Sequence, residues 1–206
     1  LSLGEVLRAL AGGGGDAERV VVLDIRLPRV VAAVACGWGL SLSGLGIQSL
    51  LRNPLGAPST LGISQGAAFG AAAAIVLFGA GMVSVTAFAF AGAMAATVVV
   101  LVLSGLKRLS TEAVVLAGVA LSALLVSATI LVQYLATETQ LAMVVFWTFG
   151  DVARSGWREI GLLCAAVLAA SLYLAAIRWD LNALASGEEA ARGLGVPIDT
   201  PLLRDL

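Results

Sequence analysis

Long uncharged, apolar runs alternate along this chain with short clusters of charge. The uncharged runs lie between Arg29 and Arg52, Arg52 and Lys107, Glu112 and Glu138, and Glu159 and Arg178. A helix that crosses a membrane needs roughly 20 mostly apolar residues. The first, third and fourth runs each hold one such helix. The second is long enough for two and is divided by the turn Phe78-Gly79-Ala80-Gly81. The pattern predicts five transmembrane helices, near 30–50, 61–78, 82–104, 112–135 and 159–177. Within a bilayer core the backbone must satisfy its own hydrogen bonds segment by segment. The predicted fold is therefore all-α, a polytopic membrane helix bundle. The alternating segments of about ten residues that mark an outer-membrane barrel are absent.

Outside the spans the pattern is shorter. Leu3, Val6, Leu7 and Leu10 recur at helical spacing and predict a short amphipathic helix, with Gly12 to Gly15 as a flexible break behind it. The stretch to Arg29 carries Glu5, Arg8, Asp16, Glu18, Arg19 and Asp24, so it is not a signal peptide. After the fifth span, Ser186 and Glu189 have capping-box spacing, and Glu188 and Glu189 suit the positive end of a helix dipole. Gly193 or Gly195 can take the left-handed position that closes a helix, and Pro197 follows. A short helix just outside the membrane is expected there, docked on something because it is too short to stand alone. Thr200 and Pro201 read as the start of a further helix, within which the chain stops at Leu206. That stop predicts missing packing partners, so the small-residue face of Gly62, Gly66 and Gly70 is expected to stay exposed.

Composition narrows the chemistry. Of 206 residues, 60% are hydrophobic and 12% charged, about half the charge of an ordinary soluble domain. The net charge of -1 provides no basic surface, so no nucleic-acid partner is expected. The absence of histidine removes histidine-based catalysis, histidine metal ligands and histidine pH switches. Cys36 and Cys164 sit in apolar runs and read as small buried hydrophobes, and no metal or other cofactor is expected. Gly12 to Gly15 end in Asp16 rather than Lys-Ser/Thr, so they make no Walker loop. Gly62-Ile63-Ser64-Gln65-Gly66 matches a nucleophile elbow in letters only, because no strand precedes it and no histidine exists. Gly62, Gly66 and Gly70 instead recur every four residues, the spacing that lets two helix backbones approach in lipid. No Asp, Glu, Lys or Arg lies mid-span, which disfavours a proton-coupled secondary transporter and a membrane-embedded hydrolase. Gln48, Gln65 and Gln133 are the larger polar groups at membrane depth and read as interhelical hydrogen-bonding groups. Trp147 to Gly150 and Trp157 flank a predicted membrane boundary, where Trp is common, and no substrate role is assigned to them. The positive-inside rule fails to orient the chain, with six cations on each side.

Five segments in order carry a resemblance. They are Asp24-Ile25-Arg26-Leu27-Pro28-Arg29, Leu50-Leu51-Arg52-Asn53-Pro54-Leu55-Gly56-Ala57-Pro58, Leu61-Gly62-Ile63-Ser64, Leu116-Ala117-Gly118-Val119-Ala120-Leu121 and Gly187-Glu188-Glu189-Ala190-Ala191-Arg192-Gly193-Leu194-Gly195-Val196. Together they resemble the FecCD-type permeases, the membrane subunits of bacterial ABC importers for iron-siderophores, haem and cobalamin. No single piece is decisive; the ordered set is specific.

The resemblance implies a chain that is part of a fold of about ten helices, its five spans being the second to sixth. It implies a bacterial inner-membrane protein, with residues 1–29 and 136–158 outside and residues 51–60, 105–111 and 178–206 in the cytoplasm. Arg26 and Arg29 match the arginines that meet an extracytoplasmic substrate-binding protein. Ser186, Gly187, Glu188, Glu189, Ala190, Arg192, Gly193, Leu194 and Gly195 match the coupling segment that sits in a cleft of a cytoplasmic ATP-binding subunit. A second permease subunit, making a homodimer, and the lipid bilayer complete the implied partners. The implied function is transport of iron chelates or cobalamin driven by a separate ATPase, with no enzymatic activity in this chain. A secondary transporter is the alternative.

Overall fold

A computed structural model describes residues 1–79, 81–107, 110–187 and 193. The described residues are helical and contain no strand. The helices are α1 (Leu3–Leu10), α2 (Asp16–Arg19), α3 (Leu27–Leu51), α4 (Ile63–Phe78), α5 (Met82–Lys107), α6 (Thr111–Tyr134), α7 (Glu138–Phe149), α8 (Trp157–Ala176) and α9 (Arg178–Ala185). Four helical stretches are long and apolar enough to cross a membrane: Asp16–Leu51, Ser84–Gly105, Thr111–Tyr134 and Trp157–Ala176. The fifth predicted span, α4, has 16 residues. At 1.5 Å per residue it covers about 24 Å, short of a hydrocarbon core of about 30 Å. It begins two residues later than the apolar pattern suggests, because Gly62 precedes it at φ +79, outside helical space.

The helix that carries the first span begins earlier than hydropathy places it. Asp16 to Leu51 is one unbroken helix of 36 residues. Its charges interrupt the apolar run but not the hydrogen-bond ladder. Pro28, near its middle, lacks an amide proton, and in an α-helix its ring would clash with the carbonyl four residues back. The turn before it widens instead: Val20–Arg26 is a π-helix, and the Leu27 amide bonds Val22 oxygen, five residues back. Pro28 itself is buried.

α1 forms where the leucine spacing predicted it. Ser2 caps it, and Glu5 reaches back to the Ser2 amide at 2.6 Å. That backbone hydrogen bond, with help from the Ser2 hydroxyl and Arg8, holds the Glu5 carboxyl below its ordinary value. A lowered value means that the ionised form stabilises the fold. The contribution is complete above the ordinary carboxylate range and is lost as pH falls through the lowered value. Amide protection of α1, followed by hydrogen exchange, should therefore fall in acid in the native sequence. In Glu5→Gln it should be weaker at neutral pH and flat over the same range.

The chain divides into two compact units. In the first, residues 1–42 with 151–175, α3 and α8 meet where Val167 faces Gly39, and Ala32, Ala35, Ile160 and Val167 are buried. The second unit, residues 43–150 with 176–206, is built on the α4–α5 pair. A Cβ on Gly66 would stand 2.5 Å from Gly92 oxygen, and one on Gly70 would fall on the Phe88 carbonyl. The two backbones touch. In lipid the hydrophobic effect gives helices little reason to associate, and close backbone packing supplies it. The expectation of an exposed face is thus corrected: Gly66 and Gly70 are buried by α5. Gly62 is not on that helix face. It packs on α6, with Ser122 and Leu121 3.3–3.4 Å from where a Cβ would stand. α6 also packs on the turn before α4, where Gly118 faces Leu61 and Thr60. A core of Ala71, Ala72, Ala74, Ile75, Val85, Ala89, Val132 and Val144 ties α4, α5, α6 and α7 together.

α7 was not anticipated. At 12 residues it is too short to register as a span. Its start, however, is spelled out: Thr137 and Gln140 form a full capping box. α9 occupies residues expected in the cytoplasm but given no helix by the apolar pattern.

Candidate functional site

Three regions carry the residues that the sequence singled out. The first is the Arg26/Arg29 pair. Arg26 ends the π-helical turn and Arg29 opens α3. A spacing of three residues puts them on one helix face, about 4.5 Å apart along the axis. Both are exposed, as are Asp24, Ile25 and Val30. The pair is presented as a unit by a helix that is continuous above and below it.

The second is the stretch from Ser186. Ser186 is expected to open a helix with Glu189, which lies outside the described residues. Ser186 closes α9: its amide bonds the Asn182 and Ala183 carbonyls, and its hydroxyl donates to Asn182 oxygen at 3.1 Å. Gly187 follows at φ +111, a conformation that glycine adopts freely. Gly193 is helical and does not take the left-handed φ, which leaves Gly195 as the other position named for it. Glu188, Glu189, Ala190, Arg192, Leu194 and Gly195 lie outside the described residues, as do Pro197, Thr200 and Pro201.

The third was not predicted as a site. A cleft of about 410 Å³ lies among α4, α6 and α7. Its polar lining is Ser64, Gln65, Thr129, Gln133, Trp147 and Thr148. All are neutral, so this lining offers hydrogen bonds without a titratable charge. The Thr129 hydroxyl already donates to Leu125 oxygen and the Thr148 hydroxyl to Val144 oxygen, which leaves their lone pairs as acceptors. Gln65 Oε1 is buried without a partner, which carries a desolvation cost of about 1–3 kcal/mol. Sequence reasoning placed Gln65 and Gln133 at membrane depth but could not bring them to one cleft. Gln48, grouped with them, donates instead to Pro54 oxygen at 3.3 Å.

That bond belongs to a tightly knit turn between α3 and α4. Asn53 Oδ1 accepts from the Leu55 amide at 2.9 Å, and the Thr60 hydroxyl lies 2.9 Å from both the amide and the oxygen of Ala57. Arg52, at φ +47, makes the reversal out of α3. No group of three or more Cys, Asp or Glu able to hold a metal occurs among the described residues.

The family model described as the FecCD transport family matches residues 1–202. This chain belongs to the FecCD transport family. Relatives and a solved structure agree with it. An ABC transporter permease protein of Methanocaldococcus jannaschii is 45% identical over 208 residues, covering 95% of this chain and 60% of that protein. The cobalamin import system permease protein of Halobacterium salinarum is 36% identical over 91% of this chain and 51% of its own length. The molybdate import system permease protein of Haemophilus influenzae is 34% identical over 87% of this chain and 53% of its own. The chain thus spans about half to three fifths of the length of these relatives. An ABC transporter of the metal-chelate type, solved facing inward, superposes with a TM-score of 0.81 at 32% identity, covering 97% of this chain and 67% of that one. Within the FecCD family this is a multi-pass membrane chain, and its all-helical architecture is that of an ABC permease bundle.

Proposed function

We propose that this chain is part of the membrane subunit of an ABC importer, in which separate cytoplasmic subunits bind and hydrolyse ATP and this subunit provides the path. The family match over residues 1–202 carries the reading. The absence of charge at mid-span fits a path whose motion is driven from outside the membrane rather than by a proton or ion relay. The chain itself is proposed to catalyse nothing.

The partners follow the same reading. A second permease subunit completes the path as a homodimer. An extracytoplasmic binding protein docks on Arg26 and Arg29, and the segment from Ser186 to Gly195 engages the ATPase. The proposed cargo is a metal-bearing species, either an iron-siderophore or haem chelate or cobalamin. The molybdate carried by the Haemophilus relative adds an oxyanion to the candidates. The membrane is proposed to be the cytoplasmic membrane of a prokaryote. A bacterial inner membrane is the first candidate, and the Methanocaldococcus relative adds the membrane of an archaeon.

The test is uptake into proteoliposomes that hold the full-length protein with its ATPase subunits and its binding protein. Uptake of whatever cargo the binding protein holds should require ATP inside the vesicle and should ignore an imposed ion gradient. Gradient-driven uptake without ATP would replace this reading with a secondary transporter.

A further inference from the structure

α7 is held to its surroundings along one narrow stripe. Val144 is its only buried residue, at 1% exposure, and Gln140 is half-buried, while its other faces are open, Phe149 being 87% exposed. Gln140, Val144 and Thr148 recur every four residues on one helix side. At one end of that stripe the Gln140 side chain works in two directions. Its Oε1 accepts from the Thr137 amide at 3.0 Å and lies 3.1 Å from the Thr137 hydroxyl, closing the first turn of α7. Its Nε2 reaches across to α4, 3.3 Å from Ile75 oxygen and 3.4 Å from Val76 oxygen. Those carbonyls belong to the last turn of α4, which leaves its final carbonyls without partners in the helix. At the other end of the stripe, Trp147 and Thr148 form the α7 wall of the cleft.

We propose that Gln140 is a positioning residue for that cleft: its amide pins the start of α7 to the end of α4 and so fixes where Trp147 and Thr148 stand. The geometry is a short lever. Val144 is the packed pivot, with Gln140 about 6 Å to one side along the axis and Trp147 and Thr148 about 4.5–6 Å to the other. Releasing Gln140 lets α7 tilt, and the cleft wall moves by a similar amount. Gln suits the position because it both accepts and donates. Glu can close the capping box equally well, but an ionised Glu has no proton for the α4 carbonyls. The consequence for transport rests on the importer reading above; the position of the wall does not.

The experiment separates the two. Thr129 lines the cleft from α6 and is only 8% exposed. In the full-length protein, with every native cysteine including Cys36 and Cys164 replaced by Ala, Thr129→Cys is labelled with a polar maleimide and its rate is followed. Gln140→Met and Gln140→Glu should each raise that rate about tenfold at neutral pH, the loss of two modest hydrogen bonds. The two variants differ in what a capping role would predict: Gln140→Glu keeps the acceptor for Thr137. If its labelling rate matches that of the native glutamine, Gln140 is a helix cap only and the proposal fails. Acid gives a rescue arm. Protonating the introduced carboxyl restores one O–H donor, so labelling of Gln140→Glu should slow relative to Gln140→Met at the same pH. Equal ratios across pH would also overturn the proposal. Absence of ATP-driven uptake by the native protein would refute the importer reading alone.

Discussion

Gly70→Val should separate α4 from α5 and leave little folded protein. A branched side chain at that position has nowhere to go, because its first carbon would fall on the Phe88 carbonyl of the neighbouring helix. The obstacle is backbone, so no rotamer change relieves it. The helices must move apart, and the contact that replaces the hydrophobic effect in lipid is lost with them. Overpacking of a close-packed interior costs 1–3 kcal/mol, occasionally more, and this site is at the severe end, with a loss of about 3 kcal/mol or more expected. Gly92→Val should do the same from the other side, since a Cβ there would fall on Gly66 oxygen. The measurement is thermal unfolding of the purified full-length protein in lipid nanodiscs, with the amount inserted in membranes as a second readout. Gly161→Ala is the control: nothing lies within 4 Å of its Cβ position in the second turn of α8. There alanine should be neutral or stabilising by roughly 0.5–1 kcal/mol. A Gly70→Val protein that melts like the native one would remove the backbone contact as the basis of the α4–α5 pair.

On the docking proposed above, reversing Arg26 and Arg29 together should slow association of the binding protein about tenfold at low salt while leaving the fold intact. Both side chains are exposed and both project from one face of a continuous helix. Exposed charges at an interface rim act through the rate of encounter and through salt dependence. Arg26→Glu with Arg29→Glu should lower the association rate by on the order of tenfold or more at low ionic strength. The difference should shrink as the Debye length falls below about 10 Å above 0.1 M salt. Unfolding temperature should not change. Surface-plasmon association with the full-length protein in nanodiscs measures this across salt. An unchanged association rate at low salt would leave the two arginines as membrane-interface anchors, whose aliphatic stems lie along apolar surface.

The capping box of α7 shows how far local reading extends. Thr137 and Gln140 announce a helix start in plain letters, but the 12 residues of α7 are too few to stand out among apolar runs of membrane-spanning length. Ser186 shows a second role that spacing does not announce. Its spacing to Glu189 suggests a helix start, and its hydroxyl also bonds backward to Asn182 and closes α9. A serine hydroxyl can donate and accept at once, so one reading does not displace the other. The first span was placed too late for a different reason. Asp24, Arg26 and Arg29 break the hydropathy, but helicity depends on the hydrogen-bond ladder, which passes Pro28 by widening into a π turn.

The sequence by itself determined the environment, the helical class and the positions of most spans, because a bilayer core admits little besides apolar helices with internal hydrogen bonds. It also determined the family, through ordered motifs that need no coordinates to be read. It named Gly66 and Gly70 as packing residues, since a small-residue period of four has few other uses in lipid. Only the tertiary structure decided what those glycines touch, and that their face is buried by α5 rather than open. It alone brought Gln65, Thr129, Gln133, Trp147 and Thr148 to one cleft from three helices up to 83 positions apart. It alone gave Gln140 its second partner, on carbonyls 64 and 65 residues away. Periodicity fixes which face a residue occupies on its own helix, but carries no information about which other helix that face meets.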